Sequence, residues 1–345
     1  MALLLDCRWL GSGGVGRVTE HLVTAWQESP PKGDWLLWGP PQLEKYLWPG
    51  ARLHVDSLTR PRHPLSILPR HDGALFMHQL HRGTRQPSVV FIHDTIPVRY
   101  GGRATVRYMK REYLRRVARS ASHIVAPSDF SRRSIVSDLG VEPGKVTVIQ
   151  VPVAADWLDM VRVSREIDQG DPFILYVGRY AAHKNVERLV EAFGRTRFRG
   201  NGGRLVLAGG TAKQSRELLR AIVSAGLNGQ VEVHGEITQT HLECLYRRTS
   251  LLVTPSLEEG FGLPAREALT AGVPVAVSRG GALLDLAEQG VPSFDPQDVS
   301  EMVAVLDRQL ADEGGGEIRR QKWTRLDFGR AMAVTVGQFL LGGVQ

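Results

Sequence analysis

A chain of 345 residues exceeds what one ordinary core organises and suits two domains of about 150 residues each. Its 42% hydrophobic and 23% charged residues exclude a disordered or collagen-like polymer, and no apolar run approaches the ~20 residues of a membrane span. The net charge of +7 is unevenly placed: residues 1–150 hold 21 Lys and Arg against 12 Asp and Glu, a surplus of 9, while the other 195 hold 22 against 24. An anionic partner is therefore expected on the N-terminal half. Cys7 and Cys244 lie far apart with no metal-ligand spacing, which excludes a disulfide framework and points to a reducing cytoplasm. The opening MALLLDCRWLGSGG lacks the basic region of a signal peptide.

In chain order, ALLLDCRWL reads as a buried strand ending in a glycine-rich turn, and VTEHLVTAWQ follows with helical spacing. DWLLWG, ARLHVDS, ALFMH, SVVFIHD, HIVAPS and KVTVIQV are the next strand candidates. Residues 156–170 are charged and strandless, and read as a linker. A second series begins at PFILYVG and runs through RLVLAGG, VEVHG, SLLVTPS and VPVAVS, separated by helices such as VERLVEAF, SRELLRAIVSAG and THLECLYRR. Strands alternating with helices predict two doubly wound parallel-sheet α/β domains, over 1–155 and 171–325. A C-terminal helix over 326–345, within a tail bearing Trp323, Phe328 and Phe339, is expected to pack back on the first domain. Two such sheets facing across a cleft would bind ligands at their strand C-terminal edges.

Four motifs fall on those edges. Gly11, Gly13 and Gly16 fit G-x-G-x-x-G loosely between strand and helix, where bare amides approach an anion. The carboxylate that a nicotinamide site places after the second strand is missing, and a tight turn would explain the glycines equally. His93 and Asp94, in FIHDTIP, end a buried strand; His78 and His81 lie near the preceding one. A metal site at His93 and Asp94 lacks a third ligand. Gly178, Arg179 and Lys184 in YVGRYAAHKN bring a planar fork and a mobile point charge to one helix start, suited to a diphosphate. Glu259 and Glu267 frame EGFGLPARE, one in a loop and one a turn into a helix, with Gly260 to Leu263 offering amides between them. That placement suits sugar and ribose hydroxyls better than the paired carboxylates flanking one bond in a glycosidase.

Taken together, YVGR(x4)KN, GEITQTHLECLYRRTSLLVTPSLEEGFGLPAREALTAGVPV and FDPQD resemble the nucleotide-sugar-binding half of the retaining family-4 glycosyltransferases of GT-B fold. GGVGR, HDTIP and VAPSDFSRRSI resemble their N-terminal half, in the manner of bacterial mannosyltransferases. The resemblance implies that Arg179 and Lys184 bind the donor diphosphate without a metal. It implies that Glu267 holds the ribose, and that Glu259 with the amides of Gly260, Phe261 and Gly262 holds the donor sugar. Gly14 would approach the phosphates, His93 the anomeric centre, and Gly235, Glu236 and Ile237 the nucleobase. No cofactor is expected; the donor substrate would be GDP-mannose in preference to a UDP-sugar, and domain closure would exclude water. The expected product is cell-surface polysaccharide or glycolipid, made on a glycan or lipid-linked acceptor. TQTHL and the irregular GGALLDLAEQGVPSF depart from the family's usual pattern near the donor rim.

The N-terminal surplus centres on Arg99, Arg103, Arg107, Lys110, Arg111, Arg115, Arg116 and Arg119, opposed by Glu112 alone. Tyr108, Tyr113, Leu114 and Val117 form the expected inward stripe of a helix there. The basic face reads as a solvated surface or as peripheral docking on anionic lipid at the inner face of the cell membrane. Nucleic acid is a weaker partner, since no binding module accompanies the charge. The alternatives are another acceptor (nucleic acid, protein or small molecule), a non-catalytic GT-B scaffold subunit, and a related-fold sugar-nucleotide epimerase.

Overall fold

The computed structural model describes residues 2–11, 13–55, 70–79, 84–100, 102–153, 161, 172–311 and 324–341. His81, Trp323 and the linker expected over 156–170, apart from Val161, lie outside the described residues. The chain divides into two compact units, one within Met1–Pro152 and Trp323–Gln345 and the other within Val153–Lys322.

The first unit is built on seven parallel strands: β1 Ala2–Asp6, β2 Asp34–Gly39, β3 Ala51–Val55, β4 Gly73–Phe76, β5 Ser88–Phe91, β6 His123–Ala126 and β7 Val146–Val148. Their spatial order is β3-β2-β1-β4-β5-β6-β7. Leu3, Leu4 and Leu5 are fully buried, as a central parallel strand covered on both faces requires. Helix α1 (Gly13–Glu28) follows the glycine turn, and α2 (Ile96–Arg99), α3 (Ala104–Ser120) and α4 (Asp129–Leu139) follow in the chain. Ser128 caps α4 by accepting from the Ser131 amide, and Gly140 ends it in the left-handed region at φ 64°.

The C-terminal helix, Arg325–Leu340, belongs to this unit. The Trp26 indole donates to Gly329 O at 2.9 Å, Phe328 meets Phe91 edge-on, and Phe339 stacks on His123 with ring centroids 3.8 Å apart. A Cβ on Gly329 would stand 2.6 Å from that of Ala25, so only glycine permits this approach to α1. Phe328, Met332 and Val336 are buried by the contact, each stabilising by about 1.5–3 kcal/mol relative to exposure.

The second unit holds β8 Phe173–Val177, β9 Arg204–Ala208, β10 Val231–Val233, β11 Leu251–Thr254, β12 Val275–Ser278 and β13 Ser293–Phe294, all parallel, in the order β10-β9-β8-β11-β12-β13. Its helices are α5 Val186–Arg195, α6 Arg197–Gly200, α7 Ala212–Ser224, α8 Gln239–Arg248, α9 Leu263–Thr270, α10 Leu284–Glu288 and α11 Val299–Ala311. Tyr176, Leu189, Phe193, Leu205, Phe294 and Met302 lie in its core. The stretch that reads as irregular in sequence supplies α10 and β13, a two-residue strand too short to show a period. Strand order reverses at β1/β4 in one sheet and at β8/β11 in the other, and ligands of open α/β sheets bind at the carboxyl ends of such strands.

Candidate functional site

In the second unit, the loops leaving β8 and β11 meet at the reversal. Gly178 follows β8, Arg179 is exposed, and Lys184 closes a short 3-10 turn before α5. The Lys184 ammonium lies 2.5 Å from Glu259 Oε1, which also accepts from Ser256 Oγ at 2.9 Å. Asn185 is the non-glycine residue with positive φ (59°) among those described. Its amide nitrogen donates to Pro255 O (3.0 Å) and Pro296 O (2.7 Å), and its oxygen accepts from Arg188 Nη1. The KN, EEGFG and FDPQD segments, distant in sequence, are thereby tied around Lys184. A backbone bond from Leu257 N–H to His183 O, 2.8 Å, joins the same loops, and burial pushes the His183 imidazole down to about 4.

The β11–α9 loop is itself clamped. The Ala282 amide donates to Glu259 O at 2.9 Å, and Gly281, at φ 66°, comes so close that a Cβ would sit 2.5 Å from Glu259 O. The GG pair that reads as a departure from pattern is close-packed: Gly281 backs Glu259, and a Cβ on Gly280 would sit 2.4 Å from Ser256 O. Their adjacency in GG was the available signal. Phe261 and Gly262 are buried, with Arg266 over the Phe261 ring and donating to its carbonyl. Leu263 opens α9, and Glu267, 5% exposed, accepts from the Tyr246 hydroxyl at 3.3 Å. Gly235, Glu236 and Ile237 follow β10, two strands from β8, a span of about 10 Å. A cavity of about 420 Å³ borders Tyr180, Asn185 and α7 but is lined by neither Lys184 nor Glu259.

In the first unit, Gly14 stands exposed in the first turn of α1, where helix amides lack intrahelical partners. Gly16 lies beneath it, so close to Trp9 O that a Cβ would be 2.7 Å away. Beyond β5, His93 Nε2 is 2.9 Å from Met77 O. Burial pushes this imidazole down to about 4, so the ring is neutral near pH 7. A carbonyl only accepts, hence Nε2 carries the proton and Nδ1 the lone pair. Helix α4 holds this segment: Ser131 Oγ donates to His93 O at 2.9 Å, while Asp138 accepts from Thr95 Oγ1 (2.5 Å) and Arg99 Nη2 (2.7 Å). Sequence reasoning missed Ser131 and Asp138, which lie in α4, far from the motif they brace.

Helix α3 buries Leu114, Val117 and Ala118, with Tyr113 half-buried beside them. Tyr108, expected to face inward, is instead 65% exposed, because six residues before Leu114 it sits about 120° round the helix from it. Met109 is 69% exposed. Arg103, Lys110, Arg116 and Arg119 are exposed and Arg111 is half-buried. Arg107 donates to Gly102 O, Arg115 pairs with Glu112, and Arg99 is engaged by Asp138. Among the described residues no three His, Cys, Asp or Glu cluster as metal ligands, and no helix is long and apolar enough to cross a membrane.

A family model described as "Glycosyl transferases group 1" matches residues 160–325, and one described as "Glycosyltransferase Family 4" matches residues 67–157. The O-antigen chain mannosyltransferase B of Escherichia coli is 28% identical over 257 residues, 70% of this chain and 64% of that protein. The MMP alpha-(1->4)-mannosyltransferase of Mycolicibacterium hassiacum is 29% identical over 228 residues, 65% of this chain and 53% of that one. The chain thus spans under two thirds of the length of these relatives. The fold is that of sucrose-phosphate synthase from Thermosynechococcus elongatus (TM-score 0.71, 18% identity, 99% of this chain and 97% of that chain covered). It is also that of Anabaena Alr3699/HepE in complex with UDP and glucose (TM-score 0.68, 16% identity, 96% and 94% covered). Two parallel-sheet units of this topology, matched by both family models in order, show that the chain belongs to the family-4 glycosyltransferases of GT-B fold.

Proposed function

We propose that this chain is a retaining, metal-independent glycosyltransferase that moves a hexose from a nucleoside-diphosphate sugar to a glycan or lipid-linked acceptor. The observation that carries the reading is the convergence of Lys184, Glu259 and exposed Arg179 at the β8/β11 reversal, with Glu267 buried in the next helix. Arg179 and Lys184 take the diphosphate, assisted by Gly178, which lets the chain turn toward it. Glu259 and the loop through Gly260, Phe261, Gly262 and Leu263 hold the sugar, Glu267 the ribose, and Gly235, Glu236 and Ile237 the base. In the first unit, Gly14 offers helix amides to phosphate and neutral His93 serves the anomeric centre.

The C1–O bond to the diphosphate breaks with its electron pair on the leaving oxygen, and the two cations stabilise that charge. The acceptor hydroxyl bonds to C1 on the same face and passes its proton to the departing phosphate, which retains configuration. GDP-mannose is the favoured donor because the named relatives are mannosyltransferases; the UDP of the HepE complex makes a UDP-sugar the second choice. The exposed Tyr108 and Met109 among Arg103, Lys110, Arg116 and Arg119 support peripheral docking of α3 on anionic lipid, with Arg107, Arg111 and Arg115 adding charge. Cell-surface polysaccharide or glycolipid is then the product.

Thermal shift with GDP, UDP and ADP tests the donor reading: one diphosphate should raise Tm in the wild type and fail to do so in Lys184→Ala. No shift with any, or an equal shift in the variant, overturns it.

A further inference from the structure

Beside His93, the carboxyl edge of the first sheet carries side chains that the donor reading does not use. Strand register aligns Asp6 with Phe76, and Phe76 with Val90. Three residues beyond that common rung stand Trp9, Gln79 and His93, so β1, β4 and β5 deliver them to one edge, at the β1/β4 reversal. Rings run across it: Trp9 lies 4.2 Å from His78 and His78 5.9 Å from His93, centroid to centroid. Trp9 is partly exposed.

Gln79 is 7% exposed, and its side-chain oxygen is buried with no hydrogen-bond partner. A buried acceptor left unfilled costs about 1–3 kcal/mol, so it marks a place where a ligand group belongs. The carboxamide offers an acceptor and two donors, the complement of neighbouring hydroxyls. Among the described residues, Arg8, next to Trp9, is not available to an anion: it is 2% exposed and forked onto Asp6 at 2.9 and 2.8 Å. An aromatic platform beside an uncharged amide suits a neutral polyhydroxylated ring.

We propose that Trp9 and Gln79 form the subsite for a pyranose of the acceptor, set one ring away from His93. This rests on the transferase reading above, and it names what that reading leaves open, where the acceptor's sugar sits. Trp9 stacks on the apolar face of the sugar, Gln79 binds its hydroxyls, and His78 holds the Trp9 ring in place.

The test uses the full chain and three probes: methyl α-D-mannopyranoside, methyl α-D-glucopyranoside and methyl α-D-galactopyranoside, followed by saturation-transfer NMR. At least one should bind the wild type and bind about tenfold more weakly to Gln79→Leu and to Trp9→Ala. Gln79→Leu should also leave Tm unchanged or raised, because it removes an unfilled polar atom; this variant keeps the test informative if Trp9→Ala fails to fold. Absence of binding by all three glycosides, binding unaltered in Gln79→Leu, or a Tm lowered by several degrees would each overturn the subsite. GDP and UDP thermal shifts on the same samples separate the two readings: lost nucleotide binding in the wild type sinks the donor assignment, whereas a normal shift with unaltered glycoside binding sinks the subsite alone.

Discussion

Lys184 Nζ and Glu259 Oε1 stand 2.5 Å apart although 75 residues separate them in sequence. The pair holds a cation meant for a diphosphate against a carboxylate meant for a sugar, so donor binding must divide it between the two. Lys184→Ala should lower kcat/KM by about 10²–10³, the usual loss when one stabilising donor is removed from developing negative charge. It should also cost up to about 3 kcal/mol in stability, since Glu259, 8% exposed, would lose its cation and retain the Ser256 hydroxyl as a hydrogen-bond donor. Lys184→Met combined with Glu259→Gln should recover most of the stability and none of the turnover. Urea denaturation alongside steady-state kinetics checks both halves, and full activity in Lys184→Ala would remove it from the diphosphate site.

Asn185 combines a left-handed backbone with two buried side-chain donations to Pro255 and Pro296. Asn185→Ala loses the hydrogen bonds and pays the left-handed penalty, for a total of about 2–4 kcal/mol. Asn185→Gly loses only the bonds and should be about 1–2 kcal/mol less damaging. In both, KM for the donor should rise more than the fold suffers, because Lys184 is the adjacent residue. Equal stability of the two variants would show that backbone conformation is not part of Asn185's task.

The strands were legible because parallel sheets bury both faces and write themselves as apolar runs: DWLLWG coincides with β2, and HIVAPS opens with β6. The carboxylates and cations of the second unit were legible because each sits directly after such a run. What stayed hidden acts across sequence. Asp138 bracing Thr95, Ser131 bracing His93 and Gly281 backing Glu259 come from elements whose own patterns say nothing of their targets. Tyr108 departs from the expected inward stripe because its aromatic ring suggests burial, whereas helical phase turns it outward.

Exposed Tyr108 and Met109 make a direct prediction for α3. Wild type should cosediment with phosphatidylglycerol-containing vesicles and not with phosphatidylcholine alone, and salt should release it. Replacing Tyr108 and Met109 by Ser should weaken binding through lost insertion, whereas Lys110→Glu with Arg116→Glu should abolish it. Activity on a soluble acceptor should be unchanged in both. Equal binding to neutral and anionic vesicles would eliminate the electrostatic part.

The C-terminal helix closes the first unit through Gly329 against Ala25 and the Trp26 indole. Gly329→Val forces the helix off α1 and should destabilise that unit by about 3 kcal/mol or more, through overpacking and loss of the Trp26 hydrogen bond. Nucleotide binding by the second unit should survive at temperatures where the first has melted, giving two transitions in calorimetry where the wild type gives closer ones. A single, unshifted transition would show that the helix contributes little.

His93 offers a pH test with a defined sign. Its imidazole is held near 4 in the fold, while an unfolded chain binds the proton at about 6.5. Between those values the unfolded state carries more protons, so stability falls as pH drops through 6.5 and levels off below about 4, by at most roughly 3 kcal/mol. His21 and His123, also pushed down to about 4 by burial, add to the same window. His93→Gln keeps a donor for Met77 O but cannot titrate, so its Tm should fall less steeply between pH 7 and 5 than that of the wild type. Turnover near neutrality should show no ionisation belonging to His93, since the ring stays neutral there. A kinetic pKa between 6 and 7 that disappears in His93→Gln would mean that the ring is charged in the working enzyme, and the neutral tautomer with its free Nδ1 would have to be abandoned.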